Sequence, residues 1–204
     1  MKRLQKPKLL QRGDMVATVS LSWGGAGDKD IYWRYLQGKQ RLEEEFGLTV
    51  IEMPHTLSGS ELLDSTPEKR ASDLMKAFKN PDIKAIFSCI GGDDSIRLLP
   101  YIDLEVIRQN PKIFMGYSDT TVTHLMCYQA GVTSFYGPSV LGEFAENIEM
   151  HDYTKQWVSQ SLFEAVEIQD VLPASKWTSE YLPWIESIEP PTTKVMGFLG
   201  KTFY

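Results

Sequence analysis

The chain has 204 residues, 42% of them hydrophobic and 24% charged. That suits one α/β domain, or one domain with part of another, and excludes a disordered composition. A net charge of −6 without any dense Lys/Arg cluster argues against nucleic-acid binding driven by counterion release.

The opening stretch MKRLQKPKLLQRGD is basic but has no apolar h-region before Arg12, Gly13 and Asp14, so it does not read as a secretory signal. No run approaches the roughly 18 apolar residues of a membrane helix. Cys89 and Cys127 lie in apolar segments far apart, which points to a reduced, cytoplasmic protein rather than a disulfide framework.

Short apolar runs then alternate with helical patterns. MVATVS (15–20) predicts a first strand, LTVIEM (48–53) a second, IKAIFSCI (83–90) a third, KIFMG (112–116) a fourth and TSFYG (133–137) a short fifth. Near-continuous hydrophobic runs of this kind suit parallel strands covered on both faces. Ile31, Tyr35, Leu42 and Phe46 mark one face of a helix near 30–46, with Gly47 as its stop. In STPEKRASDLMKAFKN, Thr66 is expected as N-cap and Pro67 at the first helical position, with Ala71, Leu74, Met75 and Phe78 on one face. Val122, Leu125, Met126 and Ala130 predict a further helix. The expectation is an α/β, doubly wound, mostly parallel sheet with helices on both faces.

The pattern changes after about residue 150. Residues 152–163 predict a helix and 165–171 a strand, and LPASKWTSEYLPWIESIEPPTTK then carries four prolines and two tryptophans without a period. Residues 1–170 are therefore read as one α/β domain. Residues 171–204 are read as an interdomain linker leading into a truncated or divergent start of a second.

Open α/β sheets bind ligands at the carboxyl ends of their strands. Two loops stand out there. CIGGDDSIRLLP places Gly91 and Gly92 directly after the third strand, where paired glycines either make a tight turn or leave N–H groups free to donate. GYSDTT places Ser118 where a strand hands over to a helix. It is either a nucleophile on an elbow, with Gly116 relieving crowding and Thr120 departing from the usual second glycine, or a cap supplied by Ser118 or Asp119. Spacing alone favours the cap.

A serine nucleophile needs a base. His124 lies six residues along the same helix, about 9 Å up its axis, and cannot reach back; neither His55 nor His151 has a telling spacing. Cys89 reads as a buried strand cysteine. Asp93, Asp94 and Asp119 lack metal-ligand spacing and read as loop and capping carboxylates, so neither metal nor cofactor is expected. Trp177 and Trp184 either pack over the sheet edge or stack on a flat ligand.

In order along the chain, RGDMVATVSLS, RASDLMKAFKNPDIKAIFSCIGGDDSIRLLPYID, NPKIFMGYSDTT and SFYGPSVLGEFAEN resemble the LD-carboxypeptidase family of serine peptidases, and more closely its microcin C immunity branch. The resemblance implies a flavodoxin-like sheet with Ser118 as nucleophile. It implies backbone N–H groups of Asp119 and Gly92 as oxyanion hole, with Gly91, Asp93 and Trp177 or Trp184 contacting substrate. The implied substrate is a muropeptide or an aminoacyl nucleotide cleaved before a C-terminal residue, and the implied assembly is a homodimer. In the family the glutamate and histidine of the Ser-Glu-His triad come from a carboxyl-terminal domain. No counterpart is recognisable in PPTTKVMGFLGKTFY, so the chain alone is expected to be catalytically incomplete. Supply of His55 or His151 across a dimer is the remaining route to a base.

Overall fold

The structure, a computed structural model, describes residues 4–147, 149–165, 170–179, 183–184 and 194–195. Five parallel strands form one sheet in the order β2-β1-β3-β4-β5. They are β1 (Met15–Val19), β2 (Thr49–Glu52), β3 (Ile83–Ser88), β4 (Ile113–Gly116) and β5 (Phe135–Tyr136). The helices are α1 (Tyr32–Glu44), α2 (Ser60–Ser65), α3 (Pro67–Lys79), α4 (Leu104–Gln109), α5 (Thr121–Ala130) and α6 (Asp152–Leu162). The doubly wound expectation holds, and the five strands expected between residues 15 and 137 each form within the expected run.

Alternation along each strand divides the core in two. Val16, Val50, Phe87 and Met115 face α1 and α6, packing on Tyr35, Leu42 and Leu162. Ala17, Val19, Ile86 and Phe114 face the other way, onto Leu74 and Phe78 of α3, Ile107 of α4 and Met126 of α5. Both sheet faces are covered, which is why the strands carry so few polar residues.

Strand order reverses between β1 and β3, and this opens a crevice at their carboxyl ends. The backbone N–H of Trp23, beyond β1, donates to Gly91 O, beyond β3, at 3.2 Å. At the other side, Gly116 pairs with Tyr136, which brings β5 alongside the serine turn. The loops after β1, β3, β4 and β5 therefore meet at one rim.

Some expectations need correction. Thr66 stands before α3 but does not cap it; its hydroxyl donates backward to Leu62 O at 2.6 Å, at the end of α2. Helices α2 and α4, six residues each, were not foreseen, and the segment after the twin glycines is a 3₁₀ helix (Ser95–Tyr101). Both α helices are too short for a hydrophobic period to register. The strand expected at 165–171 falls mostly outside the described residues, and its described ends are not strand. Farther on, Lys176–Trp177 pairs antiparallel with Lys194–Val195.

Candidate active site

β4 passes to α5 through a single 3₁₀ turn, Ser118–Thr120. Ser118 has φ +61°, the sole positive φ at a non-glycine among the described residues. A left-handed backbone at a residue with a Cβ costs about 1–2 kcal/mol. The turn persists because its neighbours fix it: Thr120 Oγ1 donates to Tyr117 O at 2.7 Å and Thr121 Oγ1 to Ser118 O at 2.6 Å. Thr120 is buried, so the residue that departs from a second glycine is absorbed into the turn. Gly116 is needed for space, since a Cβ there would lie 2.8 Å from Ser88 Cβ.

The cap reading fails. No side chain caps α5 or the 3₁₀ turn, and Ser118 is exposed with its hydroxyl in no hydrogen bond among the described residues.

The twin glycines lie against this turn. A Cβ on Gly91 would sit 2.8 Å from Ser118 Cβ, 3.1 Å from its Oγ and 3.3 Å from Asp119 N. A Cβ on Gly92 would overlap Ser22 Oγ and lie 2.9 Å from Trp23 N. Neither glycine has positive φ, so close approach, rather than a tight turn, requires them. The N–H groups of Gly92 and Asp119 donate to no acceptor among the described residues.

A buried network holds the turn from behind. The Asp119 carboxylate accepts from Ser22 Oγ at 2.5 Å and from the Ser95 N–H at 2.8 Å, while Ser95 Oγ donates to Asp119 O at 2.8 Å. Arg70, 1% exposed, donates to the carbonyls of Leu21 and Ser22 and forks onto Asp94 at 2.7 and 3.0 Å. The Arg70 hydrogen bonds hold the Asp94 carboxyl below its ordinary pKa against the opposing pull of burial, with Arg97 adding to the effect. Asp93 is exposed beside it. Sequence reading missed Arg70, Ser22 and Ser95. The available signal was Arg70 itself, a charge four residues before Leu74 on the apolar stripe of α3.

On the β5 side the Ser118 N–H donates to the Tyr136 hydroxyl oxygen at 3.0 Å. His124 bridges the end of β4 to β5: Nε2 lies 2.9 Å from Gly116 O and Nδ1 2.9 Å from Ser134 Oγ. A carbonyl only accepts, so Nε2 carries the proton, and burial, the leading cause, lowers the ring's pKa toward the neutral form. His124 is therefore a strut, and it makes no hydrogen bond to the Ser118 hydroxyl, as its helical spacing predicted. His55 bonds Asp73 at 2.9 Å and His151 lies 3.9 Å from Glu146. No histidine hydrogen-bonds to Ser118. Cys89 is fully buried and desolvation pushes its thiol up to about 12, which leaves it inert.

The two tryptophans separate. Trp184 stacks on Trp23 at 6.4 Å and lies over the Arg34 guanidinium at 4.5 Å. Trp23 is tied to Gly91, so Trp184 belongs to the rim that carries Ser118. Trp177, 47% exposed, lines a different cavity of about 540 Å³ beside the start of α6.

Comparison with known proteins bears on the family and the fold. The chain is 33% identical over 156 residues to the microcin C7 self-immunity protein MccF of Escherichia coli, covering 76% of this chain and 45% of that one. It is 31% identical over 163 residues to a "Probable murein peptide carboxypeptidase" of Bacillus subtilis, covering 79% and 49%. The crystal structure of an MccF-like protein from Streptococcus pneumoniae in complex with AMP superposes with a TM-score of 0.82 at 34% identity, covering 90% of this chain and 55% of that one. The chain thus spans about half the length of the curated relatives it matches. It belongs to the LD-carboxypeptidase family, whose N-terminal domain it matches over residues 16–137.

Proposed function

We propose that the chain is the nucleophile-bearing domain of a serine peptidase that hydrolyses an amide bond next to a C-terminal residue. The observation that carries this reading is Ser118, held at φ +61° and exposed beside Gly91. A strained serine at a strand-to-helix elbow is maintained for its hydroxyl, since nothing in the packing uses it. Ser118 Oγ attacks the carbonyl carbon, and the N–H groups of Asp119 and Gly92 donate to the oxygen as it becomes negative. Each such donor is worth about 3–4 kcal/mol at the transition state. The substrate is an aminoacyl nucleotide or a muropeptide, with Trp184 rather than Trp177 placed to stack on a flat ring.

The proton of Ser118 must go to a base that the described residues do not supply. The reading is therefore of a domain whose triad glutamate and histidine lie elsewhere, and which turns over slowly by itself. Loss of triad partners lowers kcat by about 10⁴- to 10⁶-fold. The test is labelling by a fluorophosphonate with and without added imidazole. Labelling should be slow, map to Ser118, rise with imidazole and vanish in Ser118→Ala. Fast labelling without imidazole would overturn the incompleteness, and equal labelling of wild type and Ser118→Ala in imidazole would overturn the nucleophile.

That no histidine bonds to Ser118 also favours a second reading, a binding domain that holds the same ligands without turnover. It predicts saturable binding by calorimetry, an unchanged ligand afterward, and no response to imidazole.

A further inference from the structure

Tyr136 is absorbed by neither the fold nor the reaction described so far. The residue is 66% exposed on β5, the edge strand of the sheet. Unlike an idle surface tyrosine, it has its hydroxyl engaged at the serine turn. The Ser118 N–H donates to that oxygen at 3.0 Å. A phenol has one hydrogen to give, and here the oxygen is already accepting, so its own O–H is directed elsewhere. No acceptor for it occurs among the described residues.

The ring is held in place. It packs on His124 at 5.5 Å and on Tyr117 at 6.4 Å, and His124 is itself pinned to Gly116 O and Ser134. Gly91 lies against Ser118 on the β3 side, and Tyr136 approaches it from the β5 side. The serine therefore has a donor on each flank: the glycine-loop amides on one and the phenol on the other. Tyr136 and Tyr117 also line a cavity of about 620 Å³ that runs between β5 and α6, which leaves room beside the phenol for part of a bound molecule.

We propose that Tyr136 is a substrate-contacting residue: its O–H donates to an acceptor oxygen of the ligand, a carbonyl or carboxylate next to the scissile amide, opposite the oxyanion donors. In the same contact it keeps the Ser118 N–H occupied, so that Asp119 and Gly92 remain the amides offered to the oxyanion. This rests on Ser118 being the nucleophile.

The test is Tyr136→Phe, which keeps the ring and deletes one oxygen. Calorimetry is run with aspartyl sulfamoyl adenosine, with a murein tetrapeptide and its C-terminal carboxamide, and with AMP, which lacks an acyl group. Loss of a hydrogen bond to a charged or strongly polarised oxygen should weaken the acyl-bearing ligand about tenfold and leave AMP unchanged. If the carboxamide and free tetrapeptide respond equally, the acceptor is the carbonyl; a loss confined to the free acid assigns the carboxylate. A merely structural role would weaken AMP and the acyl ligands alike, and that result overturns the proposal. Equal affinity of Tyr136→Phe and wild type for acyl ligands that bind also overturns it, while leaving the proposed function standing. Failure of wild type to bind any of them removes both.

Discussion

Gly91 and Ser118 are in such close contact that a Cβ on the glycine would lie 2.8 Å from the serine Cβ and 3.1 Å from its Oγ. Gly91→Ala must push either the glycine loop or the serine turn aside. A displacement of about 1 Å at a reacting group costs on the order of 100-fold in rate. Imidazole-assisted labelling of Ser118 should fall by about that factor, while urea unfolding shows a loss of only about 1–3 kcal/mol.

The strain at Ser118 is measurable by itself. Ser118→Gly relieves a left-handed backbone worth about 1–2 kcal/mol and gives back about 0.5–1 kcal/mol through the greater freedom of the unfolded chain. Ser118→Ala relieves nothing. Urea unfolding should find the glycine variant more stable than the alanine variant by about 0.5–1 kcal/mol, and both should lose labelling.

Asp94 ties acid stability to the site. Its folded-state pKa is held below the ordinary value of 3.8, first by its hydrogen bonds from Arg70. Above that value both states are ionised and the pair contributes fully. As pH falls below it, the unfolded chain takes up the proton and the folded chain does not, so stability drops until the folded carboxyl also protonates. Asp94→Asn leaves the buried Arg70 charge uncompensated and should cost about 3 kcal/mol at pH 7. The gap to wild type should narrow at pH 3, as followed by urea unfolding.

The rim position of Trp184 distinguishes it from Trp177. Stacking of a base on an aromatic ring is worth about 1–3 kcal/mol. Trp184→Ala should weaken AMP binding about tenfold or more by calorimetry, and Trp177→Ala should leave it unchanged.

How far the sequence foretold this site depends on the range of each interaction. The five strands were legible because double burial writes itself as unbroken apolar runs, and Ser118 because Gly116 and the strand-to-helix handover are neighbours in sequence. Proximity of Gly91 to Ser118 was not legible from spacing; it depends on β3 and β4 lying side by side, and came only through resemblance. Arg70, Ser22 and Ser95 meet Asp119 across separations of 24 to 97 residues or through one another, so no local pattern announces them. Tyr136 reads as an ordinary strand residue until the Gly116–Tyr136 pairing sets its hydroxyl over the serine amide. The cap that spacing favoured at Ser118 does not form: no side chain accepts from the first amides of the turn or of α5, and the threonine hydroxyls beside it donate to carbonyls instead.

A crystal structure of the chain with a peptidyl boronic acid, which adds to a serine hydroxyl as a tetrahedral anion, puts the site to its most direct test. The geometry predicts boron bonded to Ser118 Oγ with one boronate oxygen about 3 Å from both Asp119 N and Gly92 N. Boron bound elsewhere, or an adduct on Ser118 whose oxygens turn away from both amides, would contradict it.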